Sequence, residues 1–340
     1  MTSPLFQSRF GGSTMADKVE VSNCPTDTIS CLSWSPTGPF LAATSWDGEI
    51  RAYEANATPL KADLKLSTKK QNPVLNATWT QDGSKVVTTS ADGEVALWDL
   101  QTNQSTKIGS HTSMANRVRR VAAFNLYVTC GNDGALLYWD LRSPNPALTV
   151  NVQRKVYAID VVDKVLVAGC DGLQFKLFDL NNPNNPLKEK PAALKYSIRD
   201  VAISPDVSLF VEGGVEGKSA LQYFNDEKGF AFKCHRSTYD CFQTNVVCFH
   251  PTTNATQVST FATGGSDGHF TYWHGKNKRR VKDIAPSNTY NAAPVTAAGF
   301  SSDGKIVAIA YGNDWSKGSS GMANIKTSLH LRGAEIDKLK

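Results

Sequence analysis

The amino-acid sequence predicts an all-β chain, a seven-bladed β-propeller whose two ends meet in one sheet. Three observations predict it. A tight-turn signal of the Asp-Gly kind returns every 38 to 51 residues, at Asp47, Asp92, Asp133, Asp171, Glu216, Asp267 and Asp314. An aromatic residue follows most of these turns and closes a strand: Tyr53, Trp98, Trp139, Phe178, Tyr223 and Trp273, with the seventh unit expected to end in the irregular stretch after Asp314. The alternating segment DKVEVSN (17–23) has the pattern of a strand that can complete the last sheet beside SLHLR (328–332).

The second unit shows the repeat most clearly. In VLNATWTQDGSKVVTTSADGEVALWDL (74–100), three short alternating runs are joined by turns at Asp82-Gly83 and Asp92-Gly93 and end in Trp98-Asp99. Two units end in Trp-Asp dipeptides, the second in Trp98-Asp99 and the third in Trp139-Asp140. A period of forty to forty-five residues with four strands per unit matches the WD-repeat propeller, in which neighbouring units bury each other's faces. The third unit carries the fullest internal hydrogen-bond set: Ser110-His111 before it, Thr129 on its middle strand, then Asp133 and Trp139. His111, Asp133, Trp139, Asp92, Trp98 and Asp267 are therefore assigned structural roles, since buried polar groups need partners. The resulting division is a flexible extension over 1–16, a propeller over 17–332 and a tail over 333–340.

At 340 residues, with 41% hydrophobic and 20% charged, the chain can bury a large core. No run of eighteen apolar residues is present, and the N-terminus lacks the basic-then-apolar layout of a secretory signal, so no membrane insertion is expected. Seven cysteines without a CxxC pair indicate reduced thiols rather than a disulfide framework or a metal site, and the seven-residue spacing of Cys234, Cys241 and Cys248 matches no coordination geometry. A net charge of +5 permits acidic partners without requiring them.

Signals of catalysis dissolve on inspection. Gly264-Gly265-Ser266-Asp267-Gly268 fits the G-x-S-x-G pattern, but its flanks read as strands and not as the strand-to-helix elbow that a nucleophilic serine needs. The stretch Gly213 to Ser219 is one residue short of a phosphate-binding loop and no helix follows it. Cys234-His235 are simply adjacent. The expectation is a non-enzyme without cofactor, metal or small-molecule substrate, monomeric by itself.

Binding chemistry concentrates in the fifth and sixth units, where cations and aromatics interleave. Lys218 opens the region beside Glu216; Phe230, Phe232, Lys233, His235 and Arg236 follow, then Trp273, Lys276, Lys278, Arg279, Arg280 and Lys282. Aromatic anchors desolvate and cations steer, so this composition suits an acidic-hydrophobic peptide or a single nucleic-acid strand. Partner binding is assigned to Lys218, Glu216, Phe232, Lys233, His235, Arg236 and Trp273, and nucleic-acid contact to Trp273, Lys276, Lys278, Arg279 and Arg280. A second basic run, Arg117, Arg119 and Arg120, alternates like the outer face of a strand and is read as structural surface.

The motifs GGVEGKSALQYF (213–224), FAFKCHRS (230–237), NVVCFHP (245–251), FATGGSDGHFTYW (261–273) and NDWSKG (313–318) resemble the mRNA-export WD-repeat factors of the nuclear pore, over essentially the whole chain. A sister family, the spindle-checkpoint propellers that bind kinetochore and checkpoint-kinase peptides, shares several of these motifs and stands as the alternative. NDWSKG and the single Phe10-Gly11 favour the export branch. The resemblance implies docking of an acidic GLEBS-type segment of an FG nucleoporin, contact with single-stranded RNA or mRNP, and residence in the nucleus, at the nuclear envelope and in the cytoplasm. Where that family commonly places an Arg, this chain has Lys218, which keeps the charge and gives up the bidentate fork. His274 and Gly275 depart from the usual Trp-Asp ending.

Overall fold

In the computed structural model, residues 18–225, 227–252, 259–286, 292–318 and 325–334 are described. They form seven four-stranded antiparallel sheets. From innermost to outermost strand, blade 1 is Ile29–Trp34, Phe40–Ser45, Glu49–Ala57 and Leu60–Lys69. Blade 2 is Val74–Trp79, Lys85–Ser90, Glu94–Asp99 and Gln104–Ser110, and blade 3 is Ala115–Val121, Leu126–Gly131, Ala135–Trp139 and Leu148–Asn151. Blade 4 runs Val156–Val162, Val165–Cys170, Gln174–Asp179 and Lys188–Pro191, and blade 5 Ile198–Ile203, Leu209–Gly214, Lys218–Tyr223 and Phe230–Lys233. Blade 6 is Thr244–Phe249, Thr260–Gly265, Phe270–His274 and Arg279–Ile284.

Blade 7 is built from both ends of the described chain: Val295–Phe300, Ile306–Tyr311 and Ser328–Gly333, with Lys18–Glu20 as its outer strand. Lys18 lies opposite Arg332 and Glu20 opposite His330, which is the pairing expected between 17–23 and 328–332. The last strand includes Gly333, and Ala334 is fully buried, so the sheet runs past the boundary expected at 332. The seventh unit does not end in an irregular stretch. Residues 328–333, beyond that stretch, supply its third strand. The extension over 1–16 and the tail from 335 lie outside the described residues.

A single blade is too thin to bury its own faces, and the core accordingly sits between blades. Val87 and Val95 of blade 2 pack with Val118, Tyr127 and Trp139 of blade 3. The two valines are fully buried, each contributing roughly 1.5–2 kcal/mol. Each innermost strand also packs against those of both neighbours, closing the ring around an axial channel.

The basic run read as structural surface lies on an inner strand. Ala115–Val121 is the innermost strand of blade 3, so Arg117 and Arg119 face the channel and not an outer edge. Arg119 is tied down there, donating to Asp160 at 3.0 Å and to Asn76 Oδ1 at 3.1 Å.

Candidate docking surface

Two blades hold the same buried four-residue chain. In blade 3, the Trp139 indole N–H donates to Thr129 Oγ1 (2.9 Å) and the threonine hydroxyl reaches His111 Nε2 (2.8 Å). His111 Nδ1 then meets the Asp133 carboxylate at 3.0 Å. Burial, partly offset by Asp133, depresses the His111 pKa, and hydrogen bonds from His111, Ala135 and Thr112 hold the Asp133 carboxyl low against its own desolvation. In blade 6, Trp273 donates to Thr263 (2.9 Å), Thr263 meets His235 Nε2 (3.0 Å), and His235 Nδ1 meets Asp267 (2.9 Å). A Cβ on Gly265 would come within 2.4 Å of the His235 ring, so this position needs a residue without a side chain.

This geometry corrects the assignment of His235. The side chain is fully buried with both ring nitrogens engaged, so it cannot touch a docked partner; it is the blade 6 counterpart of His111. Trp273 is also largely structural, because its N–H is spent on Thr263 and its ring packs, tilted, against Phe232 at 4.8 Å between centroids. Phe232 is half-buried against Trp273 and Phe261.

Blade 5 departs from the pattern. Leu194 stands 18 residues before Glu212, as His111 does before Thr129, and Glu212 occupies the threonine position. Gln222, not Tyr223, lies opposite Phe210, in the register that Trp139 holds opposite Tyr127. The Glu212 carboxylate Oε1 accepts the backbone N–H groups of Ala193 (2.7 Å) and Leu194 (3.1 Å), while its Oε2 is buried without a hydrogen-bond partner among the described residues. Burial pushes its pKa up to about 7.

The next turn, Glu216-Gly217, places Lys218 at the start of the third strand, with Gly217 at φ +65°. The Lys218 ammonium lies 3.5 Å from Glu216 and keeps about a third of its side chain exposed. Opposite it in the sheet is Lys233, and Arg236 follows; both are exposed. After Arg236 comes a projecting hairpin in which Ser237 Oγ accepts the Asp240 N–H (2.9 Å), and Tyr239 at its tip is 94% exposed.

The basic-aromatic region is thus divided between two ends of the propeller. Lys218, Lys233 and Arg236 lie at the end where the Asp-Gly turns sit. Lys276, Lys278, Arg279 and Arg280 lie at the opposite end, around the turn from Phe270–His274 into Arg279–Ile284. There Lys276 pairs with Asp206 at 3.4 Å, and the Lys278 ammonium sits 4.7 Å from the Phe230 ring centroid. Arg279 and Arg280 are exposed.

On the Asp-Gly end, the mouth of the channel is lined by Trp46, Met114, Tyr157, Val215 and Trp315. Trp46 is 41% and Trp315 56% exposed. Neither is assigned a contact role from the sequence, although Trp315 lies in the NDWSKG motif and each adjoins an aspartate of a repeat turn, Asp47 or Asp314. Lining one mouth together, the two indoles give apolar area of the kind found at contact surfaces.

The WD domain, G-beta repeat model matches residues 18–54 and 64–99. Among curated proteins, the chain is 33% identical over 333 residues to the Poly(A)+ RNA export protein of Schizosaccharomyces pombe, covering 95% of this chain and 92% of that one. This chain belongs to the mRNA-export-factor family of WD-repeat proteins. Other members of the family are the mRNA export factor GLE2 of Chaetomium thermophilum, 34% identical over 96% of this chain and 94% of its own, and Protein Rae1 of Drosophila melanogaster, 33% identical over 88% of each.

Proposed function

We propose that this protein is a non-enzymatic adaptor in mRNA export, which docks an acidic GLEBS-type segment of an FG nucleoporin at the nuclear pore and moves between nucleus and cytoplasm. The observation that carries the reading is the placement of Lys218 on a fixed turn at the same end of the propeller as the channel mouth that exposes Trp46 and Trp315. The indoles supply apolar area and the lysine supplies the charge an acidic segment requires. The ion pair of Lys218 with Glu216 is partly exposed and long, worth well under about 1 kcal/mol, so a partner carboxylate can displace it. That the relatives are named for poly(A)+ RNA and mRNA export supports this reading over a checkpoint scaffold.

Calorimetry with an acidic GLEBS-type peptide tests it. Lys218→Glu is expected to weaken binding by at least about tenfold, and Lys218→Arg to tighten it by restoring a forked donor. Full affinity in Lys218→Glu means the docking face is elsewhere.

A second contact, to single-stranded RNA, is supported by the exposed Arg279 and Arg280 beside Lys278 at the other end. Replacing Lys278, Arg279 and Arg280 together by alanine is expected to lower retention of an oligonucleotide severalfold and to flatten its salt dependence. Unchanged retention removes that site.

A further inference from the structure

The projecting hairpin at the entry to blade 6 adds nothing to the core. Thr244, which opens the innermost strand of that blade, stands nine positions after His235, whereas Ala115 stands four after His111 in blade 3. The extra chain includes the hairpin, in which Arg236 pairs with Cys241 and every residue from 236 to 241 is exposed. Hydrogen bonds nevertheless fix its shape. The Ser237 N–H donates to the Asp240 carbonyl and the Phe242 N–H to the His235 carbonyl, each at 3.0 Å. Ser237 Oγ accepts the N–H groups of Tyr239 (3.3 Å) and Asp240 (2.9 Å) and donates to the Asp240 carboxylate (3.1 Å). The serine hydroxyl and the hairpin's one acid are thereby turned onto each other. The Tyr239 phenol, 94% exposed at the tip, has no hydrogen-bond partner among the described residues.

The base of the hairpin rests on the cationic side of blade 5. A Cβ on Gly217 would come within 2.4 Å of Arg236 Cγ, so the arginine stem lies against the turn that carries Lys218. Lys233 is opposite Lys218 in the sheet, and neither Lys233 nor Arg236 forms an ion pair among the described residues. Tyr239 and Arg236 are long side chains three positions apart across one tight turn, close enough to meet. An accessible hydroxyl beside unpaired cations suits a phosphoryl group, whose oxygens accept charge-assisted hydrogen bonds from a guanidinium. Tyr53, Tyr127, Tyr138 and Tyr272 are closed to such chemistry by burial; the other exposed tyrosine among the described residues is Tyr196, at 61%.

We propose that Tyr239 is a phosphorylation site, whose phosphate pairs in cis with Arg236 and withdraws the cations beside Lys218 from an acidic partner. The phosphoryl donor is ATP, brought by a protein tyrosine kinase. The phenol oxygen bonds to the γ-phosphorus, the bond from that phosphorus to the β,γ-bridging oxygen breaks, ADP leaves, and the phenolic proton passes to the kinase's base. The product adds about −1.5 to −2 of charge at pH 7, enough to offset Lys233 and Arg236 together. Its effect is local, since charges are screened beyond about 8 Å at physiological salt. The regulatory half of this proposal rests on the docking reading above; the modification site does not.

The test treats the folded full chain with ATP, Mg²⁺ and a broad-specificity tyrosine kinase, locates phosphate by peptide mass spectrometry, and titrates in a GLEBS-type peptide by calorimetry. Tyr239 is expected to be modified ahead of Tyr196, and the phosphorylated chain to bind the peptide about fivefold more weakly. Tyr239→Phe, treated alike, should keep the affinity of the untreated parent. In phosphorus NMR the Tyr239 phosphate is expected to titrate below the ordinary second pKa of about 6, and Arg236→Gln to return it there. Modification of Tyr196 with none at Tyr239 overturns the site, and a phosphate titration that Arg236→Gln leaves unchanged overturns the pairing in cis. If Lys218→Glu weakens peptide binding and phosphate on Tyr239 does not, the switch alone falls. If neither weakens it, the docking reading falls, while mass spectrometry and the phosphorus titration still decide the site.

Discussion

Blades 5 and 6 are neighbours with the same four-stranded layout, and they solve one problem in opposite ways. Each must tie the chain that enters it to its own second and third strands. Blade 6 does so with His235, Thr263, Asp267 and Trp273, in which every polar atom along the line from indole to carboxylate is engaged. Blade 5 puts a leucine where the histidine would stand, and lets Glu212 reach the backbone at Ala193 and Leu194 directly. In the complete blade the connecting histidine is sealed in the interior. In the incomplete blade, the cost is a buried carboxyl whose pKa burial raises despite the backbone N–H groups and the Gln222 side chain beside it. The glycine two residues before the turn follows the same division: beside Gly265 lies the His235 ring, and beside Gly214 the Leu194 side chain. The contrast teaches that a histidine amid basic residues belongs to the frame, while the turn of blade 5 leaves the charge of Lys218 partly exposed.

The largest expected effect comes from breaking the complete blade at its centre. Thr263→Val leaves the His235 Nε2 and the Trp273 N–H buried without their partner, and two orphaned groups are expected to cost about 2–4 kcal/mol in denaturant unfolding. Affinity for the acidic peptide should remain at the parent level, because none of these atoms reaches the surface where Lys218 stands. A cost below about 0.5 kcal/mol, or a loss of peptide affinity at unchanged stability, would remove the distinction between frame and contact residues.

Much of this was legible in the residues themselves. The Asp-Gly spacing fixes seven units, and alternation in 17–23 and 328–332 identifies the closing pair, because both signals depend on local backbone chemistry. His235 escaped because it precedes Asp267 by 32 residues, whereas His111 precedes Asp133 by 22; the hairpin after Arg236 accounts for part of that extra length. A period of two told that Arg117 and Arg119 share a face, but it is the same for an innermost strand as for an outermost one. Residues 230–236 and 273–282 read as one region because both interleave cations with aromatics after Lys218. Strand pairing separates them: Lys233 is opposite Lys218 at one end, and His274 opposite Arg279 at the other. Trp46 and Trp315 carry a further signal, an indole beside the turn aspartate, where the hairpin leaves a side chain in solvent; NDWSKG marks the family of Trp315 but not its exposure.

Glu212 sharpens the comparison at smaller magnitude, through pH. Burial raises its pKa in the folded chain to about 7 from the ordinary 4.5, so between these values the native state binds more protons than the unfolded state. Stability from this group therefore falls as pH rises through that window, and the penalty is complete above about pH 7. Glu212→Gln keeps an oxygen for the Ala193 and Leu194 N–H groups and removes the buried charge. It is expected to stabilise the protein by roughly 1–3 kcal/mol at pH 8 and by little at pH 4.5, where the parent is already neutral. His111 supplies the contrasting sign: burial lowers its folded pKa, so below its ordinary value of 6.5 the unfolded state takes up the proton and stability falls with acid. Urea midpoints across pH for parent and Glu212→Gln separate the two, since the substitution should alter the neutral-to-alkaline limb and leave the acid limb in place. An unchanged difference between parent and variant at pH 4.5 and pH 8 would mean that Glu212 does not titrate in the folded blade, and that blade 5 bears no cost for lacking its histidine.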